Sequence, residues 1–162
     1  MVRLAVESDI RNSSISYTRA FDDDPVWRWY IPSDGYTNRW MILMDGFLRH
    51  SALPYQINHT TDDGVSTAIW TPPVPQEASD AHAEGLALAF QNCFGERLER
   101  FQQGFGLMQT KRPHKPHWYL SALATHPGWH GQGLGSTVLP RSSSAAIAKE
   151  CLLILNQPKR RM

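Results

Sequence analysis

Apolar residues in the first third of the chain recur with the spacing of one strand and two helices. Val2 to Val6 predicts a short strand, and Ser8 or Asp9 can cap a helix that runs to about Phe21. A second helix is predicted from Thr37 to Ala52, because large apolar residues recur there at spacings of three and four: Trp40, Leu43, Met44, Phe47 and Leu48. This opening predicts a chain in which helices are added to a sheet.

A hairpin and a long helical region are predicted next. Tyr55 to Thr60 and Val65 to Thr71 have strand-forming composition and are separated by the turn residues Asp62-Asp63-Gly64. Glu77 to Met108 predicts helix, and glycines predict two breaks in it: Asn92–Gly95 and Gly104–Gly106.

A strand, a glycine turn and a helix are predicted in direct succession near the end of the chain. Trp118 to Thr125 is uncharged and apolar, and His126-Pro127-Gly128 ends it. Three alternating glycines follow, Gly131, Gly133 and Gly135, and Ser136 to Leu139 opens the helix. Glycines permit positive φ angles and close approach of a ligand to the backbone, and free N–H groups at a helix start favour an anion. The expected ligand is a phosphate or pyrophosphate.

Comparison with known phosphate-binding motifs limits which ligand this turn is expected to bind. The dinucleotide pattern G-x-G-x-x-G lacks its last glycine, and the P-loop lacks its lysine. The sequence His130-Gly131-Gln132-Gly133-Leu134-Gly135 resembles the acetyl-CoA signature Q/R-x-x-G-x-G/A of the GNAT acetyltransferase superfamily. Both glycines match, and His130 stands where the family has Gln or Arg. An ordinary strand-to-helix turn is the alternative.

The resemblance implies how acetyl-CoA is held. In the family, the pyrophosphate lies on the amides of this turn, and the pantetheine arm pairs with the end of the preceding strand. A backbone N–H near a bulge in that strand polarises the thioester carbonyl. Carried onto this sequence, the cofactor-binding residues are Leu123, Ala124, Thr125, His130, Gly131, Gln132, Gly133, Leu134, Gly135 and Ser136.

Two residues at the start of the same strand are candidate catalytic groups. Alternation places His117, Tyr119, Ser121, Leu123 and Thr125 on one side. In the family, a carboxylate or a water-holding group early in this strand deprotonates the acceptor amine, and by count Tyr119 occupies that place. Histidine has a pKa suited to a base near neutral pH, whereas tyrosine is better suited to orienting a water. The alternative for both residues is a purely structural role, packing at the start of the strand.

An aromatic segment after the first helix is the candidate acceptor site. Asp22-Asp23-Asp24 is expected to cap or turn the chain before Pro25. Trp27, Trp29 and Tyr30 follow in a predicted loop, where family members with similar loops form the acceptor side of the cleft. These residues either line the substrate site or pack into the core.

Composition bounds the class of protein. With 162 residues and a net charge of +1, the chain is expected to form a single domain, residues 1–162, with no charge pattern for nucleic acid. Cys93 and Cys151 have no metal or redox spacing, and the seven histidines have no ligand motif, so no metal is predicted. No apolar run has the length of a signal peptide or a membrane span, so a cytoplasmic protein is expected.

The C-terminal residues predict one further strand, Cys151 to Leu155, beside the glycine-motif strand. Family members continue with a helix and two strands, including a tyrosine that acts as general acid, so the resemblance implies a truncated domain. The expected fold is α/β, with a mixed, mainly antiparallel GNAT-like sheet flanked by helices and its C-terminal part missing. An unpaired edge of the last strand would favour self-association.

The expected function is transfer of acetyl from acetyl-CoA to an amine of a small molecule or peptide, by direct attack. A non-catalytic acyl-CoA-binding or partner-binding remnant of the fold is the alternative. A generic phosphate-ligand module, with no preference for CoA, is a third hypothesis.

Overall fold

The computed structural model describes residues 1–56, 58–71, 73, 79–113 and 115–139. Within these ranges the chain forms an antiparallel sheet of four strands in sequential order. The strands are β1 (Val2–Leu4), β2 (Asn58–Thr61), β3 (Ser66–Thr71) and β4 (Tyr119–Thr125). The predicted hairpin is β2–β3, and Gly64 makes its turn with a φ of 70°.

Helices precede, separate and follow these strands. The α-helices in the described ranges are α1 (Ile10–Ala20), α2 (Pro25–Tyr30), α3 (Tyr36–Phe47), α4 (Asp80–Phe94), α5 (Leu98–Gln109) and α6 (Leu134–Thr137). Short 3₁₀ turns join several of them, at Glu7–Asp9, Leu53–Tyr55, Gly95–Arg97 and Pro127–Trp129. None of the helices in these ranges is both long and apolar enough to cross a lipid bilayer.

The core lies between the sheet and the helices. The core contains Ile69 of β3 and Ala124 of β4, together with buried aromatic residues of α1, α3, α4 and α5. Phe94 and Phe101 stack with ring centroids 4.0 Å apart, which ties α4 to α5. The buried Tyr17 hydroxyl lies 3.3 Å from the carbonyls of Thr67 and Ala122, so α1 is hydrogen-bonded to β3 or β4. Burial raises the pKa of Tyr17 well above its usual range.

The predicted second helix is α-helical only in its first part. α3 stops at Phe47, and Leu48–Ala52 forms a π-helical turn that the apolar spacing could not reveal. α3 also packs closely on α4, where a Cβ added to Gly46 would lie 2.2 Å from the Cβ of Ala89.

One of the two predicted breaks in the long helical region is confirmed and the other is wrong. The region breaks at Gly95, which has a φ of 52°. α5 instead runs without a break through Gly104–Gly106. Gly104 faces Tyr30, and a Cβ there would lie 1.9 Å from the tyrosine hydroxyl oxygen. This glycine therefore serves close packing between α5 and α2 and does not end the helix.

The aromatic segment is helical, which corrects the prediction of a loop. Asp24 caps α2 by accepting hydrogen bonds from the N–H groups of Val26 and Trp27, and Pro25 occupies the first turn. The predicted cap before Pro25 is confirmed. The predicted strand Cys151–Leu155, and with it the expected sheet edge for self-association, lies outside the described residues.

Candidate functional site

A cavity of about 330 Å³ opens where β4 ends and the glycine turn begins. All of its lining residues come from residues 123–139, so one continuous segment builds the site. They are Leu123, Thr125, Trp129, His130, Gly131, Gly133, Leu134, Gly135, Ser136 and Leu139.

Most of the predicted cofactor-binding residues are brought together here. Ala124 and Gln132 are the two that do not line the cavity. Ala124 is 2% exposed and its side chain belongs to the core, so any contact with a ligand must come from its backbone. Sequence reasoning missed Trp129, which is 43% exposed at the cavity wall. A large exposed aromatic directly before a glycine turn was the available signal.

The turn itself is open to a ligand. Gly131 and Gly133 have φ angles of 80° and 74°, and a Cβ added to either would meet nothing within 4 Å. The backbone N–H groups of residues 131–135 donate no hydrogen bond to any part of the chain that the structure describes. Among the described residues, the turn therefore presents a row of N–H donors without partners beside open space, an arrangement that favours an anion.

His130 stabilises the strand end. Its Nε2 lies 2.9 Å from the Thr125 carbonyl oxygen. Because a carbonyl only accepts, Nε2 carries the proton in this contact. The side chain that replaces the family's Gln or Arg thus connects the turn to the last residue of β4.

A β-bulge interrupts β4 at Ser121. Ile69 pairs with Ala122 and Trp70 pairs with Leu120, so Ser121 has no partner of its own on β3. The Ser121 hydroxyl lies 2.5 Å from that of Thr71. A bulge leaves backbone groups out of the ladder and shifts the alternation of side chains by one residue.

The shifted alternation corrects the predicted sharing of one face by Tyr119, Leu123 and Thr125. Residues that pair across an antiparallel sheet lie on the same face. Leu123 pairs with Ala68, whereas Tyr119 pairs with Thr71, which lies on the opposite face of β3 from Ala68. Strict alternation fails because the bulge adds one residue between them.

The two candidate catalytic residues lie close to each other at the start of β4. The ring centroids of His117 and Tyr119 are 6.4 Å apart. His117 Nδ1 lies 2.8 Å from the Lys115 carbonyl and therefore carries the proton, which leaves a lone pair on Nε2. This Nε2 is buried and has no hydrogen-bond partner among the described residues. The Arg112 guanidinium stacks 3.7 Å from the centroid of the Tyr119 ring, a contact for which the sequence gives no signal.

Of the aromatic residues of α2, two pack into the core and one is exposed, as a substrate-lining residue would be. Trp27 packs 4.8 Å from the Trp40 ring and Tyr30 packs 5.5 Å from the Phe101 ring, so both belong to the core. Trp29 is 55% exposed, and the Arg100 guanidinium lies 5.0 Å from its ring centroid. Only Trp29 of the three presents a broad aromatic surface to solvent.

Comparisons with known proteins agree with the fold. No protein-family model matches the sequence. Similar solved structures include one from Corynebacterium glutamicum, described as histone acetyltransferase HPA2 and related acetyltransferase. It is 24% identical, covers 86% of this chain and 67% of that chain, and has a TM-score of 0.59. Another acetyltransferase is 15% identical, with coverage of 86% and 70% and a TM-score of 0.44.

The first of these comparisons confirms the predicted fold class. The chain has an α/β fold of the GNAT-like kind, in which helices flank a largely antiparallel sheet. The strands that the structure describes are all antiparallel, and the predicted strand Cys151–Leu155 beside β4 lies outside the described residues.

Proposed function

We propose that this protein is an N-acetyltransferase that binds acetyl-CoA at the cavity beside β4. Acetyl is transferred to an amine of a small molecule or peptide. One observation carries the proposal: a cavity lined by a glycine turn whose amides, residues 131–135, are free to hold a phosphate group. The fold shared with a solved acetyltransferase supports it, and so does the resemblance of residues 130–135 to the acetyl-CoA signature, which implies that the strand before this turn contacts acetyl-CoA.

The residues present suit such a ligand. A pyrophosphate accepts several hydrogen bonds, and the turn offers consecutive N–H donors with no side chain at Gly131 or Gly133 to exclude it. On the edge away from β3, no described strand pairs with β4. The resemblance to the acetyl-CoA signature implies that the backbone of Leu123, Ala124 and Thr125 pairs with an extended pantetheine arm, in the manner of an added strand.

We assign His117 as the base that removes a proton from the acceptor amine. Its Nδ1 proton is fixed by the Lys115 carbonyl, so the lone pair that proton abstraction requires is on Nε2. Because this Nε2 is buried, the proposal requires that binding of the acceptor uncovers it. Tyr119 lies next to it, on the face of β4 opposite the cavity-lining Leu123, and we propose that it orients the amine or a relaying water as the amine approaches. The neutral amine then attacks the thioester carbonyl carbon. A C–N bond forms, the C–S bond breaks, and the CoA thiolate leaves. The nitrogen then loses its remaining extra proton to the thiolate or to water, so the products are the amide and CoA thiol.

Two further features favour direct attack. The bulge at Ser121 frees backbone groups near the reacting carbonyl, where an N–H donor stabilises developing negative charge. Burial raises the pKa of the Cys93 thiol to about 12, so this cysteine is not a nucleophile for an acyl-enzyme.

Calorimetry with acetyl-CoA, CoA and ADP, followed by an amine panel monitored by loss of the thioester absorbance, tests the proposal. We expect acetyl-CoA and CoA to bind at least about tenfold more tightly than ADP, a difference of about 1.4 kcal/mol. Equal binding of all three ligands would favour a generic phosphate module. Tight acetyl-CoA binding with no turnover of any amine would favour the non-catalytic alternative.

A further inference from the structure

Two histidines far apart in sequence meet outside the proposed active site. His50 lies in the π-helical turn Leu48–Ala52, and His82 lies in the first turns of α4. Their Nδ1 atoms are 3.4 Å apart, with ring centroids separated by 5.7 Å. Both residues are partly buried and partly exposed to solvent.

The surrounding backbone is shaped around the His50 ring. A Cβ added to Gly85 would lie 2.5 Å from both Nε2 and Cε1 of His50, so this glycine makes room for the imidazole. Gly85 is three residues after His82 on the same helix, which places the opening and the second imidazole on one face of α4. The tight contact of Gly46 with Ala89 fixes α3 against α4 nearby. The two rings are therefore positioned by packing before any ligand arrives.

We propose that His50 and His82 form a binding site for a divalent transition-metal ion, with both Nδ1 atoms as ligands. Zn–N bonds of about 2.0–2.1 Å at tetrahedral angles place two ligand nitrogens about 3.4 Å apart. The 3.4 Å between the two Nδ1 atoms matches this ligand-to-ligand distance. Imidazole nitrogen is a preferred ligand of Zn²⁺, Ni²⁺ and Cu²⁺.

The described residues contain no group of three or more His, Cys, Asp or Glu side chains placed to hold one ion, so the proposed site has two protein ligands from this part of the chain. The positive charge of the neighbouring Arg49 is balanced by ion pairs with Asp45 and Glu7. The site differs from the sequence expectation of no metal, which considered ligand motifs and not residues 32 positions apart. A bound ion would fasten the π-helical turn to the start of α4.

Thermal unfolding with Ni²⁺ or Zn²⁺, and the EPR spectrum of the Cu²⁺-loaded full chain, test this site. We expect the melting temperature to rise by about 5 °C at 100-fold excess over the dissociation constant. The Cu²⁺ spectrum should show coupling to two imidazole nitrogens. His50→Gln or His82→Gln should lower Cu²⁺ affinity at least about tenfold and leave one coupled nitrogen.

The double variant, His50→Gln with His82→Gln, is the matched control, because it keeps the other five of the seven histidines. If it binds metal as tightly as the parent chain, the ion sits elsewhere and the proposal fails. It also fails if the parent chain shows no metal-dependent shift, since the 3.4 Å contact is then only a hydrogen bond between imidazoles. His82→Gln provides the test if the packed His50 cannot be replaced without unfolding.

Discussion

At the scale of single residues, Gly133 tests the phosphate site most directly. Its φ of 74° and the open space above it make Asp and Asn a matched pair, since both tolerate this conformation and differ mainly in charge. We expect Gly133→Asp to weaken acetyl-CoA binding by about 2 kcal/mol or more, roughly 30-fold, because a carboxylate repels the pyrophosphate. Gly133→Asn should lose much less. Calorimetry on the two folded variants measures the difference, and equal affinities would show that no phosphate lies on this turn.

The base is the second prediction at this scale. We expect His117→Ala to lower kcat/KM by about 10²–10⁴ near neutral pH, because the amine loses its proton acceptor. The loss should shrink as the pH rises, since more of the amine is then neutral in solution. Acetyl-CoA affinity should stay unchanged, because His117 does not line the cavity. Steady-state kinetics across pH 6–9 check this.

Tyr119→Phe provides the comparison for that experiment. It retains the ring beneath Arg112 and removes only the hydroxyl. A loss as large as that of His117→Ala would assign the proton transfer to the tyrosine. Parent-like rates in both variants would mean that the amine loses its proton elsewhere.

Residue roles were predictable from sequence only where backbone conformation decides them. Gly131 and Gly133 have the positive φ angles that the motif predicts. His130 hydrogen-bonds to the carbonyl of Thr125, five residues earlier, and this contact depends on how the turn folds back on β4. The faces of Tyr119 and Leu123 depend on a bulge, which is a property of two paired strands and leaves no periodic signal in one of them.

At the scale of elements, α5 contains two glycines that look alike in sequence and differ in surroundings. A Cβ at Gly104 would lie 1.9 Å from the Tyr30 hydroxyl oxygen, whereas a Cβ at Gly106 would meet nothing within 4 Å. We expect Gly104→Ala to destabilise the fold by about 1–3 kcal/mol through overpacking. Gly106→Ala should stabilise it by about 0.5–1 kcal/mol, because alanine favours helix. Urea unfolding followed by tryptophan fluorescence compares them.

A double-mutant cycle identifies the cause. Tyr30→Phe removes the clashing oxygen, so Gly104→Ala should cost less in that background than in the parent chain. An unchanged cost would locate the strain elsewhere on α5.

Element types were predictable where local chemistry is decisive. Asp63-Gly64 predicted a hairpin turn, which is confirmed. Asp22-Asp23-Asp24 predicted a cap or turn before Pro25, and Asp24 is a cap, but the helix that it caps was predicted as a loop. The unbroken α5 and the π-helical turn after α3 were not predictable, because both are set by close packing with a neighbouring element.

At the scale of the whole molecule, the fold class followed from one segment. The order of strand, glycine turn and helix around Gly133 placed β4 in a GNAT-like sheet, and the comparison with a solved acetyltransferase confirms that fold. The sequential order of β1 to β4 was not predicted, since strand pairing depends on contacts such as Val2 with Thr61 that are remote in sequence.

The stability of the whole fold should fall in two stages as the pH is lowered. Burial lowers the pKa of His59, so the folded chain resists its protonation, and stability declines as the pH falls below its unfolded value of about 6.5. The Arg3 guanidinium, bonded to Asp9 at 2.6 and 2.9 Å, lowers the pKa of that carboxyl. Its contribution is present above the unfolded pKa of about 3.9 and is lost as the pH falls through the folded one.

Two substitutions separate the stages. His59→Gln should reduce the pH dependence of the free energy of unfolding between pH 7 and 5, because no side chain at position 59 then takes up a proton.

Asp9→Asn should cost about 1–2 kcal/mol of stability at pH 7, since the link between β1 and α1 loses its charged hydrogen bonds. That cost should shrink as the pH falls through the lowered pKa of Asp9 in the folded parent chain, because the parent then loses the same charged hydrogen bonds. Other aspartates with lowered pKa, including Asp63, keep part of the acid stage in the Asp9 variant. Urea titrations at several pH values measure both effects. A His59 variant with the parent's slope above pH 5 would mean that the imidazole is hydrated in the folded chain, and the first stage would then belong to another group.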